Sequence, residues 1–275
     1  MTNSIKMLDG NSIPKLGLGV WQASNEQVVE AISTALDAGY RLIDTASVYA
    51  NESGVGEALR VNKVAREDIF VTSKLWNSDQ NNVQQALEDS LSRLQLDYLD
   101  CYLIHWPVPS LGQYSKAWEE LIKAQQNGLV KSIGVSNFLP EHIETLIQQT
   151  GVTPVINQIE KHPLFQQKTL SDWCAKHNIL VQAWSPLAQG GQGIFEQQQV
   201  TSIANKYQKS PAQVVLRWHL QRNTLVIPKS ITASRIIENI QVFDFELTAA
   251  ELKTIDDLNK DQRLGPDPLD FVGLD

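Results

Sequence analysis

Residues 15–44 read KLGLGVWQASNEQVVEAISTALDAGYRLID, and the fold turns on this stretch. KLGLGV, at 15–20, is a short apolar run of strand length. Ser24 and Gln27 then form a capping-box pattern, in which each side chain satisfies the other residue's backbone N–H. Val28, Val29, Ile32, Ala35 and Leu36 follow at helical spacing, and Gly39 stands where a left-handed C-terminal cap is needed. Arg41 opens the next apolar run. One strand–helix unit is complete and a second has begun.

The same rhythm continues outward. Further strands are expected to start at Arg41, Phe70, Leu99, Ser132, Val155, Leu180 and Thr224, most of them about 30 residues apart, the length of one βα unit. Between them lie amphipathic helices: Val83, Ala86, Leu87, Leu91 and Leu94; Ala117, Trp118, Leu121 and Ile122 ending at Gly128; Ile143, Leu146 and Ile147 behind Pro140. The longest interval, after Leu180, holds LAQGGQGIF and two helical stretches, so an insertion is expected after the seventh strand. A hairpin with an Asp9-Gly10 turn precedes the first unit, over residues 5–14.

Eight units imply one α/β domain over residues 1–275. It is a (β/α)8 TIM barrel with an N-terminal β-hairpin and extra helical segments near the C-terminus. The competing open, doubly wound sheet should carry G-x-G-x-x-G after its first strand. Here Gly17-Leu-Gly19-Val-Trp-Gln22 has glutamine at the third glycine position.

A chain of 275 residues with 42% hydrophobic and 20% charged side chains has the composition of a soluble globular enzyme. Its formal net charge of -8 disfavours a broad nucleic-acid surface but permits a local anion pocket, so any phosphate site must be built locally. No run of about 20 apolar residues occurs, and the N-terminus lacks an apolar stretch behind a basic head; no membrane role and a cytoplasmic location are expected. Cys101 and Cys174 form no CxxC and have no histidine cluster around them. They read as buried fillers in a reducing compartment, with no metal site.

Barrel enzymes carry their chemistry just past the C-terminal ends of the strands. Strand two runs into Asp44 and then Tyr49, strand three ends in Lys74, and strand four ends in His105. Alone, each has a duller explanation as a helix cap, a solvated charge or core packing. Four such residues on three neighbouring strands point instead to proton donation to a carbonyl oxygen. Tyrosine, with a pKa of about 10, keeps its proton at neutral pH, and a nearby lysine is expected to lower that pKa. Aspartate would keep the lysine charged, and a neutral imidazole would orient the carbonyl.

GYRLIDTASVYANE at 39–52, GVSNF at 134–138 and IPKS at 227–230, the last followed by Thr232, Arg235, Glu238 and Asn239, are motifs in order along the chain. The sequence resembles the aldo/keto reductase family, within it the bacterial 2,5-diketo-D-gluconate reductase group. That resemblance implies NADPH bound without a Rossmann fold. The carboxamide would be held by Ser136, Asn137 and Gln158, with Trp184 stacked on the ring. Ser185, Pro186, Leu187 and Gln189 would run beside the pyrophosphate. Lys229, Ser230, Thr232 and Arg235 would hold the 2′-phosphate, and Glu238 and Asn239 would lie near the adenine.

Trp21, Trp76 and Trp106, with His105, are expected to wall the substrate pocket. Trp184 stands where many relatives have tyrosine, and Lys161 in NQIEKHP replaces a commonly apolar residue. The short tail LGPDPLDFVGL predicts an open mouth accepting aldehydes, 2-ketoesters, methylglyoxal-like dicarbonyls and keto-sugar acids such as 2,5-diketo-D-gluconate. A monomer is expected. Two rivals stay open on sequence grounds: an NADPH-binding redox sensor or structural protein with little turnover, and a barrel isomerase or aldolase in which Lys74 is a Schiff-base amine.

Overall fold

The structure, a computed structural model, describes residues 3–274. Ten strands and ten α-helices follow in the expected order among these residues. The hairpin is β1 (Ser4–Lys6) and β2 (Ser12–Pro14), antiparallel, with Gly10 at φ +91° in its turn. The barrel strands are β3 (Leu18–Gly19), β4 (Leu42–Asp44), β5 (Phe70–Leu75), β6 (Leu99–Ile104), β7 (Val130–Ser136), β8 (Ile156–Glu160), β9 (Leu180–Trp184) and β10 (Thr224–Val226). All neighbours in this sheet are parallel.

Closure runs through main-chain bonds between the first and last barrel strands. Gly17 donates to Val226 O at 2.9 Å, Gly19 to Pro228 O at 3.2 Å, and Val226 to Lys15 O at 3.0 Å. The two glycines of KLGLGV serve this contact rather than a nucleotide. A Cβ at Gly17 would lie 2.4 Å from Leu42 Cγ, and one at Gly19 would lie 2.9 Å from the Ile227 carbonyl oxygen. The regular ladder is correspondingly shorter than the predicted strand at 15–20, with Leu16 joined to Val226 only by an isolated bridge.

The helices are α1 (Asn25–Asp37), α2 (Glu52–Val61), α3 (Val83–Leu94), α4 (Tyr114–Gln126), α5 (Pro140–Thr150), α6 (Lys168–Lys176), α7 (Gln198–Tyr207), α8 (Pro211–Gln221), α9 (Ala233–Ile240) and α10 (Ala249–Asp256). The capping box of α1 forms as read, with Ser24 and Gln27 bonded reciprocally, and Gly39 takes φ +101° just beyond its end. The predicted insertion after the seventh barrel strand is the Gly-rich loop plus α7, which packs on α8. Leu87, Trp118, Ile143 and their neighbours pack between helices and sheet, while Leu42, Phe70, Leu103, Ile156 and Leu225 form a second cluster with the hairpin's Met7 and Ile13. Ile13 is fully buried there, so the hairpin plugs the N-terminal end of the barrel.

The chemistry is thereby confined to the opposite end. Cys101 and Cys174 are both buried and unpaired as thiols, as expected. Among the described residues no helix is long and apolar enough to cross a membrane.

Candidate active site

β4 ends on Asp44, and the chain then makes a 3₁₀ turn over Ser47–Tyr49, capped by Ala50 at φ +55°. Asn51 fastens this turn: its Oδ1 accepts from Thr45 Oγ1 at 2.8 Å, and its Nδ2 donates to Val20 O and Ala23 O at 2.8 and 3.1 Å. The turn aims Tyr49 back over the barrel. Lys74, fully buried on β5, donates from Nζ to Asp44 Oδ1 at 2.6 Å, to Thr45 O at 2.8 Å and to Tyr49 OH at 3.4 Å. His105 meets the Tyr49 ring edge-on at 5.8 Å between centroids and Trp76 at 5.1 Å. The four residues read from strand ends therefore converge.

Electrostatics refines the expectation for the phenol. Burial pushes the Tyr49 pKa up, and the opposing Lys74 charge does not overcome it, so the net shift is upward rather than downward. Tyr49 holds its proton as an acid in reserve. Burial disfavours the Lys74 ammonium, but Asp44 and Tyr49 outweigh that and raise its pKa, so it stays cationic. Burial also pushes the Asp44 carboxyl up, against the Lys74 charge and the hydrogen bonds from Lys74 and Gln158. His105 is driven well below its ordinary value, by burial first and by Lys74 second, and is the neutral imidazole anticipated.

The residues assigned to the nicotinamide are brought together, but they already bond one another. Ser136 Oγ donates to Gln158 O at 2.8 Å, and Asn137 Nδ2 donates to His105 O at 3.0 Å. Asn137 Oδ1 accepts from Trp184 Nε1 at 2.8 Å, fixing the indole. Gln158 Nε2 donates to Asp44 Oδ2 at 2.7 Å and to Gln182 Oε1 at 2.8 Å. Gln158 thus holds the second oxygen of the buried carboxylate, a role its sequence position did not signal.

Ser185 at φ +49° leads into a loop in which Ala188, Gln189, Gly190, Gly191, Gln192 and Gly193 all take positive φ, and Pro186 O is pinned by His219 Nε2 at 3.0 Å. Further on, Lys229, Thr232 and Arg235 are exposed around the first turn of α9, and Thr232 makes no side-chain cap bond. Lys229 and Arg235 have no ion-pair partner among the described residues. Two unpaired cations and an uncapped helix start suit a phosphate. Ser230 Oγ accepts from Thr232 N at 3.1 Å; Glu238 accepts from Ser210 Oγ; Asn239 is buried. The uncapped start of α9 with its exposed cations suits an anionic group, and the indole fixed by Asn137 suits a planar one.

The mouth is less bare than the short tail implied. Phe271 packs on Trp106 at 4.5 Å and on Trp76 at 6.3 Å, and Asn77 Nδ2 donates to Val272 O at 2.8 Å. The apolar faces of the two tryptophans draw the tail onto them. Trp21 remains 46% exposed at the rim. A cleft of about 430 Å³ flanks the mouth, lined by Val48 and Trp76 but also by Glu52, Asp79 and Arg93; none of Asp44, Tyr49, Lys74 and His105 lines it. Lys161 turns away from the mouth, its Nζ donating to Ser171 Oγ of α6 at 2.6 Å.

The comparisons agree with this geometry. The chain is 57% identical over 269 residues to "Methylglyoxal reductase DkgA" of Escherichia coli (strain K12), covering 98% of each chain. It is 46% identical over 271 residues to "Glyoxal reductase" of Bacillus subtilis (strain 168), covering 98% of this chain and 97% of the relative. A crystal structure of a mutant of Gox0644 in complex with NADPH superposes with a TM-score of 0.92 at 44% identity, covering 96% of this chain and 97% of the other. The "Aldo/keto reductase family" model matches residues 15–260, which span every strand of the barrel and all four converging side chains. The chain belongs to the aldo/keto reductase family.

Proposed function

We propose that Tyr49 is the proton donor in an NADPH-dependent reduction of aldehydes and ketones to alcohols, with Lys74 and Asp44 supporting the phenol and His105 orienting the carbonyl. The supporting observation is the continuous chain Asp44–Lys74–Tyr49, with separations of 2.6 and 3.4 Å, beneath a neutral His105. NADPH, when bound, supplies the hydride. Tyr49 OH delivers its proton to the carbonyl oxygen, where negative charge accumulates, and the Lys74 ammonium stabilises the phenolate left behind. Asp44 keeps that ammonium charged in a dry site. His105, uncharged, donates a hydrogen bond without competing as an acid.

Ser136, Asn137 and Gln158 would hold the carboxamide and Trp184 would stack on the nicotinamide ring, with Ser185, Pro186, Leu187 and Gln189 lining the path of the pyrophosphate. Lys229, Ser230, Thr232 and Arg235 would hold the 2′-phosphate, with Glu238 and Asn239 toward the adenine. Trp21, Trp76 and Trp106 border the substrate. The single domain spans residues 1–275 and acts as a cytoplasmic monomer. Small dicarbonyls such as methylglyoxal head the substrate class, in keeping with the names of the relatives above, followed by 2-ketoesters and 2,5-diketo-D-gluconate.

Loss of NADPH absorbance on adding methylglyoxal tests the activity, and Tyr49→Phe tests the assignment. The variant should bind NADPH nearly as before while kcat falls by about 10²- to 10⁴-fold, the usual share of a general acid. Turnover comparable to the parent would overturn Tyr49 as donor. Borohydride trapping of a substrate adduct on Lys74 would move the case to a Schiff-base enzyme.

A further inference from the structure

The C-terminal tail is fastened to the barrel beside Trp184. Glu160, the last residue of β8, is 1% exposed. Its Oε1 accepts from Leu264 N at 2.6 Å and contacts His162 Nε2 at 3.0 Å, and its Oε2 accepts from Gly265 N at 2.9 Å. A carboxylate only accepts, so Nε2 of His162 carries the proton in that contact. Burial alone would push the Glu160 carboxyl up; the bonds from His162, Leu264 and Gly265 more than offset this and hold it below its ordinary value. Two successive backbone N–H groups on one buried carboxylate make a charge-assisted anchor, roughly twice as strong as neutral bonds.

The anchored segment touches Trp184 directly. A Cβ at Gly265 would stand 2.4 Å from Cη2 and 3.2 Å from Cζ3 of the indole. Those atoms form the outer edge of the six-membered ring, so residue 265 can lie against the indole only without a side chain. The other end of the indole is held by Asn137 through Nε1. Trp184 is therefore gripped at both ends, and one grip depends on Glu160. Six residues beyond Gly265, the same tail seats Phe271 on Trp106 and Trp76.

We propose that Glu160 is a positioning residue that latches the C-terminal tail onto Trp184, coupling the orientation of the cofactor platform to the seating of Phe271 at the substrate mouth. The coupling rests on Trp184 being that platform, whereas the latch itself is readable without cofactor. Arg263 immediately precedes the anchored N–H groups and offers trypsin a site whose protection reports the latch.

In Glu160→Gln the amide keeps one acceptor oxygen where two obligatory backbone donors sit on opposite oxygens, so either Leu264 N or Gly265 N meets an N–H. Trypsin cleavage after Arg263 in the NADPH-free protein should then speed up about tenfold. NADPH affinity, followed by tryptophan quenching, should weaken about tenfold, and KM for methylglyoxal should rise while kcat moves less than about threefold. Gly265→Ala, which leaves the carboxylate intact but crowds the indole, should weaken NADPH similarly. Parental cleavage and parental NADPH affinity in Glu160→Gln would overturn the latch; should that variant not fold, parental NADPH affinity in Gly265→Ala would do so. If NADPH leaves the parent's tryptophan emission unchanged, the platform assignment to Trp184 fails instead, and the coupling with it, while Arg263 protection still decides the latch.

Discussion

Replacing Asp44 by asparagine puts the core of the site to a quantitative test. The carboxylate accepts on both sides, from Lys74 Nζ at 2.6 Å and from Gln158 Nε2 at 2.7 Å, and both partners are buried donors. Asparagine is nearly isosteric, but it has one acceptor oxygen and one donor nitrogen, so either orientation sets a donor against a donor. If the amide oxygen faces Lys74, a fully buried ammonium loses its counter-charge; if it faces Gln158, the ammonium meets an N–H as well. Breaking a buried pair by removing one partner costs about 3–5 kcal/mol. For a chain of this size that is a fall in Tm of roughly 10 °C, taking about 2–4 °C per kcal/mol. The ammonium would also lose the charge that raises its pKa, so reduction should become steeply pH-dependent on the alkaline side. Differential scanning calorimetry and a pH–rate profile measure the two effects. A stability loss below about 1 kcal/mol, with an unchanged profile, would refute the buried ion pair as the support of Tyr49.

Three further outcomes are expected. Lys161→Met should stabilise the protein at pH 7, because burial depresses this lysine from 10.5 to about 8, which corresponds to about 3 kcal/mol before the lost Ser171 bond is deducted. The unfolded chain binds this proton more readily, so the parent's stability should climb between pH 8 and 10.5 and the gain should shrink across that window; urea midpoints at pH 7 and 10 check it, and a destabilised variant at pH 7 contradicts it. Arg235→Ala should raise KM for NADPH by about tenfold, leave KM for NADH unchanged and lose its effect in high salt, as expected for a surface phosphate contact; equal loss with both nucleotides would remove Arg235 from the 2′-phosphate. With His105 depressed well below 6.5 and Tyr49 raised above 10.0, kcat/KM for reduction should stay level through pH 6.5 and fall only on the alkaline side of 10; an acid limb at 6.5 would show that His105 titrates as an ordinary imidazole.

What could be read along the chain was whatever is written locally. The strand–helix alternation, the α1 cap and the strand-end positions of Asp44, Lys74 and His105 each depend on residues a few places apart, and each was legible. Gln158 bonding Asp44 spans 114 positions and Glu160 bonding Gly265 spans 105, and both contacts need the barrel register. The sign of the Tyr49 shift is not legible in the sequence for a related reason: a charge partner shows in a motif, whereas the burial that outweighs it is a property of the closed barrel. One long-range feature did have a local trace. In NQIEKHP, Asn157 reaches outward to Cys174 of α6, Gln158 inward to Asp44, Glu160 to the tail over Trp184, and Lys161 outward to Ser171. Strict alternation on a parallel strand assigns Lys161 to the face shared with Asn157 and Ile159, against the helices, and Glu160 to the face shared with Gln158. A polar residue on the lumen side at the end of a barrel strand is where chemistry is sought, and the same period-2 reading that removes Lys161 from the pocket places Glu160 beside it.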